Sequence, residues 1–250
     1  KFVQIISSSD NDNVLVVRVS ADDNPGSYYI VTNKQKLTKI GDRLPFIDKS
    51  KLGTVKYISY KARDGRKIKA YVTIPATKGP HPAIVLPHGG PWVRDSVVFD
   101  DWAQLLAYHG YVVIQPNYRG STGYGLEHWI AGDNNWGLKK QDDLDDAAQY
   151  LIDKGLATKD KLALFGWSYG GYAAFAASMR ENNIYKCVVA GAGVSDLSRI
   201  NATLNENRFL SILQRPTITG VSPVEQVNKV NIPILVVHGD IDSRVPVKHS

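Results

Sequence analysis

The chain has 250 residues, 43% of them hydrophobic and 22% charged, which suits one large α/β domain or a domain with a small appendage. No apolar run approaches the ~18 residues of a membrane helix, and the single cysteine, Cys187, excludes an intrachain disulfide and leaves no Cys-His cluster for zinc. The net charge of +6 comes largely from twelve Lys and Arg between Lys34 and Lys69, which alternate with apolar residues in strand-like runs, so solvated strand faces and no nucleic-acid partner are expected.

Taken in order, the chain opens on Lys-Phe-Val rather than methionine and shows no signal-peptide pattern, as a processed or cut chain would. A soluble protein is expected, with the cytoplasm favoured over the periplasm or secretion. Residues 1–44 read as all-β, with strands at Phe2–Ile6, Val14–Val19, Tyr28–Thr32 and Leu37–Ile40 separated by Ser-, Asn- and Gly-rich turns. Four short strands in about 40 residues match one blade of a β-propeller. A lone blade cannot bury its own faces, so the segment is expected to be the remnant of a longer array or to pack on something else. Residues 45–53 read as a connector.

Beyond it, Val55–Tyr60 and Lys67–Ile74 form a hairpin around Asp64-Gly65. From Pro82 the pattern turns to alternating strands and helices, the mark of an α/β fold with a mainly parallel sheet and helices on both faces, over residues 54–250. The expected strands are Ala83–Leu86, Val112–Ile114, Leu162–Phe165, Val188–Ala190 and Ile234–Val237. The expected helices are Asp100–Tyr108, Asp143–Asp153 and Tyr169–Met179; in the second, Leu144, Ala147, Ala148 and Leu151 share one face. Cys187, in the apolar run Cys187-Val-Val-Ala190, is expected to be buried as a small hydrophobe.

The stretch that carries chemistry is Gly166-Trp167-Ser168-Tyr169-Gly170, between an apolar strand and an alanine-rich helix. This is the strand–turn–helix context of a nucleophile elbow, which projects a serine hydroxyl from a strained turn. Side chains two residues to either side would strike neighbouring backbone, hence the glycines. Such a serine needs a base, a group to orient the base, and donors for the oxyanion. The acid should follow a later strand. Asp240 and Asp242, after Ile234–Val237, and Asp196, after Val188–Val194, are the candidates that position alone leaves open. The backbone N–H of Tyr169 is one expected oxyanion donor, and the Gly90 amide in Pro87-His88-Gly89-Gly90-Pro91 is the other. Trp167 and Trp92 are candidate walls of a substrate pocket. Asn201-Ala-Thr203 is a glycosylation pattern that matters only in a secreted eukaryotic chain.

Four blocks in this order, His88-Gly-Gly-Pro91, Asn117-Tyr-Arg-Gly-Ser-Thr-Gly-Tyr-Gly125, Gly166-Trp-Ser-Tyr-Gly-Gly171 and His238-Gly-Asp-Ile-Asp242-Ser-Arg-Val-Pro246, resemble the catalytic domain of the prolyl oligopeptidase family, and most closely its acylaminoacyl peptidase and dipeptidyl peptidase-like branch. The resemblance covers roughly residues 54–250. It implies an α/β-hydrolase domain behind a β-propeller whose last blade is residues 1–44. It implies a serine peptidase acting on short or acylated peptides, with Ser168 as nucleophile, Asp242 as triad acid, and Tyr169 and Gly90 as oxyanion donors. Arg119 becomes an ion-pairing structural residue. No metal or organic cofactor is implied, the partner is a peptide, and a homo-oligomer is compatible. The family's histidine follows the acid by a few tens of residues, whereas Ser250 is eight residues past Asp242 (250 − 242). His81, His88, His109 and His128 precede Ser168, His238 belongs to the strand-end motif, and His249 follows Asp242 too soon; the base is therefore expected beyond Ser250, with the missing propeller before Lys1. A carboxylesterase with the same triad and a non-catalytic binding protein with a degenerate site are the rival readings.

Overall fold

The computed structural model describes residues 2–33, 35–181, 183–205, 212 and 215–250. It resolves into two compact units, one of Lys1–Lys56, Thr73–Lys78 and Ser96–Tyr111, the other of Tyr57–Val72, Gly79–Asp95 and Val112–Ser250.

In the first unit, β1 (Phe2–Ser8), β2 (Val14–Ala21), β3 (Asn24–Thr32) and β4 (Lys36–Asp42) form an antiparallel meander in chain order. The β1–β2 turn closes through the Ser9 N–H, which donates to Val14 O, with Asp12 at φ 55°. Phe2, Val3, Ile5, Ile6, Leu37 and Ile40 remain exposed on the outer strands. Helix α1 (Asp101–Tyr108) is capped by Asp100, whose carboxylate accepts from the Ala103 N–H. Its buried Gln104 satisfies both backbone groups of Gly53 and donates to Asp22 O.

The other sheet has the order β11-β10-β9-β7-β8-β6-β5. Its strands are β5 (Thr54–Lys61), β6 (Lys67–Ile74), β7 (His81–Val85), β8 (Val112–Asn117), β9 (Ala157–Trp167), β10 (Cys187–Gly191) and β11 (Ile234–Val237). From β8 to β11 all neighbours pair in parallel. Parallel neighbours cannot be joined by a tight turn, so helices make the crossings: α2 (Leu126–Ile130) and α3 (Lys139–Asp153) between β8 and β9, α4 (Tyr169–Ser178) between β9 and β10, and α5 (Leu197–Asn205) between β10 and β11. Helix α3 packs on β7, β8 and β9, and α4 on β9 and β10. The expected stripe Leu144, Ala147, Ala148, Leu151 is fully buried, and burying each leucine contributes roughly 1.5–3 kcal/mol. The small residues of α4 let it lie close on the sheet, with Tyr169 to Ala174 all buried.

The departures from expectation have local causes. Helix α3 starts at Lys139, four residues before Asp143, and turns Lys140 and Gln141 inward. Strand β9 starts at Ala157, because the exposed Lys159-Asp-Lys161 hides its continuity. Helix α2 has only five residues, too few for a period to show, and α5 spans Leu197–Asn205, where no helix was expected. Cys187 is exposed rather than buried: it is the first residue of β10 and falls on the outward side of that strand's alternation. Lys36, Lys39, Lys56, Lys61 and Lys67 lie exposed on β4, β5 and β6, as expected of solvated strand faces. Among the described residues no helix is long and apolar enough to cross a membrane.

Candidate active site

Strand β9 ends at Trp167 and α4 begins at Tyr169, leaving Ser168 alone in the turn at φ 58°, ψ −115°. A non-glycine residue there costs of order 1–3 kcal/mol and persists only where its surroundings enforce it. They do so with backbone. A Cβ at Gly166 would lie 2.4 Å from the Gly170 carbonyl carbon, one at Gly170 2.5 Å from Pro87 O, and one at Gly171 2.4 Å from Gly191 O. The Ser168 N–H donates to Gly191 O at 2.8 Å, and Ser168 O accepts from the Tyr172 N–H at 3.0 Å, the first turn of α4. The start of α4 therefore faces the serine, where unpaired N–H groups favour negative charge.

Register brings the other candidates to this edge. Trp167 pairs with Gly191 and Gly191 with Val237, so β9, β10 and β11 end level. The Ala192 N–H donates to Val237 O at 2.7 Å. Strand β7 pairs with β9 as Val85 with Leu164, and its continuation is the His88-Gly-Gly loop. A Cβ on Gly89 would stand 3.5 Å from Ser168 Cβ and 4.0 Å from its Oγ. Gly89, not singled out from sequence, is thus the loop residue against the serine. Its signal was the doubled glycine. Gly90 adopts φ 107°, and a side chain there would meet the Trp92 N at 2.8 Å.

The loop is held from below by the Asn117-Tyr-Arg block. Asn117 pairs with both backbone groups of Asp95. The Tyr118 hydroxyl donates to His88 O at 2.8 Å, and its ring stacks on His88 at 4.4 Å and on Tyr169 at 5.2 Å. Burial lowers the His88 pKa to about 4, so the ring is neutral at working pH; its Nδ1–H donates to Gly89 O at 2.7 Å, and Nε2 meets Ser121 Oγ at 2.8 Å. Arg119, 3% exposed, is forked between Asp143 at 2.6 Å and Asp64 at 2.8 Å. The ion-pairing part expected of it is what it has. Hydrogen bonds from Arg119 hold Asp64 down at about 2.

The three candidate acids differ sharply. Asp196 caps α5, accepting from the Arg199 N–H at 3.0 Å. Asp240 is exposed in the turn. Asp242 Oδ1 accepts from the Arg244 and Val245 N–H groups, both at 2.9 Å, and Oδ2 stands 3.8 Å from His238 Nε2. The Val245 N–H above all, then that of Arg244 and the nearby His238, lower its pKa despite partial desolvation. His238 Nε2–H donates to Val245 O at 2.7 Å, fixing the turn rather than offering a base. His249 is buried at the end of a short 3-10 helix, and its Nδ1 accepts from the Ser195 and Asp196 N–H groups. His128 Nε2–H donates to the Asn117 and Tyr118 carbonyls. Trp167 is 40% exposed, with its ring where a Cβ on Gly191 would fall, 2.0 Å from Cε3. Trp92 is half-buried, 6.4 Å from Trp136.

A mainly parallel sheet, a serine at a strained strand-to-helix turn and a glycine loop against it define an α/β-hydrolase-type domain. The family model described as the prolyl oligopeptidase family matches residues 98–250, and the chain belongs to that family. It is 30% identical to dipeptidyl aminopeptidase BIII of Pseudoxanthomonas mexicana, over 97% of this chain and 39% of that protein. It is 28% identical to dipeptidyl peptidase family member 6 of Caenorhabditis elegans, over 97% of this chain and 38% of that one. A puromycin-hydrolysing peptidase of Mycobacterium tuberculosis superposes with a TM-score of 0.81 at 28% identity, covering 95% of this chain and 38% of its own. The acylaminoacyl peptidase of Pyrococcus horikoshii shares the fold, with a TM-score of 0.80 at 22% identity, over 100% of this chain and 42% of its own. The chain thus spans about two fifths of the length of these relatives.

Proposed function

We propose that this chain carries the nucleophile, acid and oxyanion pocket of a serine peptidase that hydrolyses short or acylated peptides. Ser168 Oγ attacks the scissile carbonyl carbon while a histidine beyond Ser250 takes its proton. Asp242 orients that histidine and stabilises its charged form. The carbonyl oxygen becomes an oxyanion held by the backbone N–H groups of Tyr169 and Gly90. Collapse breaks the C–N bond, the leaving amine takes the proton from the histidine, and an acyl-Ser168 remains. Water, activated by the same histidine, releases the acid and regenerates the serine. Trp167 and Trp92 flank the acyl-binding side. Residues 1–44 belong to the last blade of a propeller that screens the site. The observation that carries the reading is the strained Ser168 with Gly89 against its hydroxyl.

The test uses the full-length protein. A fluorophosphonate should label it, Ser168→Ala should lose the label, and kcat on a dipeptide or acyl-amino-acid anilide should fall by about 10⁶-fold. Turnover of short-chain aryl esters without any anilide cleavage would replace the peptidase by an esterase. A folded parent that takes no label would sink both.

A further inference from the structure

Behind the elbow lies a charged residue that the mechanism leaves unused. Lys140, in the first turn of α3, is 1% exposed. A lysine so deeply buried ordinarily has a carboxylate partner. Among the described residues none reaches this ammonium within ion-pair distance; it rests instead on two ring faces, 5.1 Å from the centroid of Tyr169 and 5.4 Å from that of Trp136. Gly120 closes the space from the other side, where a Cβ would meet Lys140 Cε at 3.1 Å and Nζ at 3.2 Å. The two rings themselves meet edge to face at 4.6 Å.

Tyr169 connects this cation to the reaction. Its backbone N–H is one proposed oxyanion donor. Its ring continues through Tyr118 to His88, whose Nδ1–H holds the Gly89 carbonyl in the facing loop. Resting on the proposed peptidase reading, we propose that Lys140 is a positioning residue of the oxyanion pocket: its buried ammonium seats the Tyr169 ring, and with it the elbow amide, and places positive potential behind the developing oxyanion. A preorganised charge in a water-poor site stabilises such an oxygen without reorganising during the step.

The groups that face the ammonium are Asp133 from the loop after α2, Asp143 along α3 and itself bound to Arg119, the Tyr169 ring from α4, and the neutral His88. Burial lowers the Lys140 pKa to about 7, with Asp133 and Asp143 opposing. The charge is therefore present below that pH and lost above it, so the pocket weakens as pH rises, opposite to the deprotonation that a histidine base needs.

The experiment follows the second-order rate of Ser168 labelling by an uncharged fluorophosphonate against pH in the full-length protein, with kcat and KM on an anilide substrate. Lys140→Met should slow labelling about tenfold on the acidic side of neutrality, lower kcat with KM unchanged, and abolish the alkaline limb. Lys140→Arg, charged throughout, should keep the fast rate and also lose the limb. Wild-type rate and pH profile in Lys140→Met would overturn the proposal, as would a wild-type profile without an alkaline limb. Should Lys140→Met fail to fold, Asp133→Asn decides: removing that carboxylate should move the limb to lower pH, and an unmoved limb overturns the proposal. Labelling that survives Ser168→Ala would instead remove the peptidase reading beneath it.

Discussion

The serine turn and the aspartate turn end neighbouring parts of one sheet, yet they are built in opposite ways. Ser168 follows a strand with neighbours on both sides and precedes a helix whose first six residues are buried. Its conformation is enforced by backbone within 2.5 Å of where side chains at Gly166 and Gly170 would be. Asp242 follows β11, which comes last in the strand order and leaves Leu235, Val236 and Val237 exposed by 58%, 41% and 42%. Its carboxylate, 25% exposed, is held by two backbone hydrogen bonds. One corner of the proposed site is fixed by exclusion, the other by attraction. Damage at the first should reach stability and activity together; damage at the second should reach activity almost alone.

Asp242→Asn tests the second half of that contrast. The amide can still accept from Arg244 and Val245 but cannot stabilise an imidazolium, so kcat in the full-length protein should fall about 10⁴-fold. The urea midpoint should move by less than about 1 kcal/mol equivalent. A large loss of stability would mean that the aspartate turn is as rigid as the serine turn. Gly166→Ala tests the first half. One methyl group drives into the Gly170 carbonyl and forces the turn to be rebuilt, at about 4 kcal/mol of stability together with loss of fluorophosphonate labelling. Normal labelling in a protein of normal stability would contradict the enforced geometry.

The smallest effect is on pH dependence. The folded pKa of Asp242 lies below its unfolded value. Its stabilising contribution is therefore complete above the unfolded carboxylate range, near pH 4, and disappears as pH falls through the lower folded value. Urea melts of wild type and Asp242→Asn should converge across that acid window and run parallel above it. Parallel melts throughout would show that its two hydrogen bonds do not favour the ionised form. Ser168 itself does not titrate in that range, so Ser168→Ala should give no such convergence.

Both turns were legible in the sequence because each is punctuated by residues with few alternative uses: glycine where nothing else fits, and aspartate two and three residues ahead of the amides it accepts from. The buried support beneath them was not. Lys140 falls in Lys139-Lys-Gln-Asp142, a charged run just ahead of the helix expected from Asp143, and only the packing of α3 turns it inward. Asp196 looked like a possible acid because a residue after a strand and before a helix is equally an N-cap, and it serves as one. Helix α2 has five residues and no side-chain cap, so no local signal marked it. Burial of Cys187 was misjudged because an apolar run tells that a strand is present but not which of its ends projects outward.

The Gly191–Ala192 peptide has a consequence for how the two turns move. Its carbonyl receives the Ser168 N–H on one side and its N–H reaches the Val237 carbonyl on the other. A peptide unit is planar and resists twisting, so this one unit acts as a stiff crossbar between the end of β11 and the serine. A displacement of β11 cannot be absorbed within that link and is passed to the nucleophile as a change of tilt. The tighter corner thereby takes part of its alignment from the looser one.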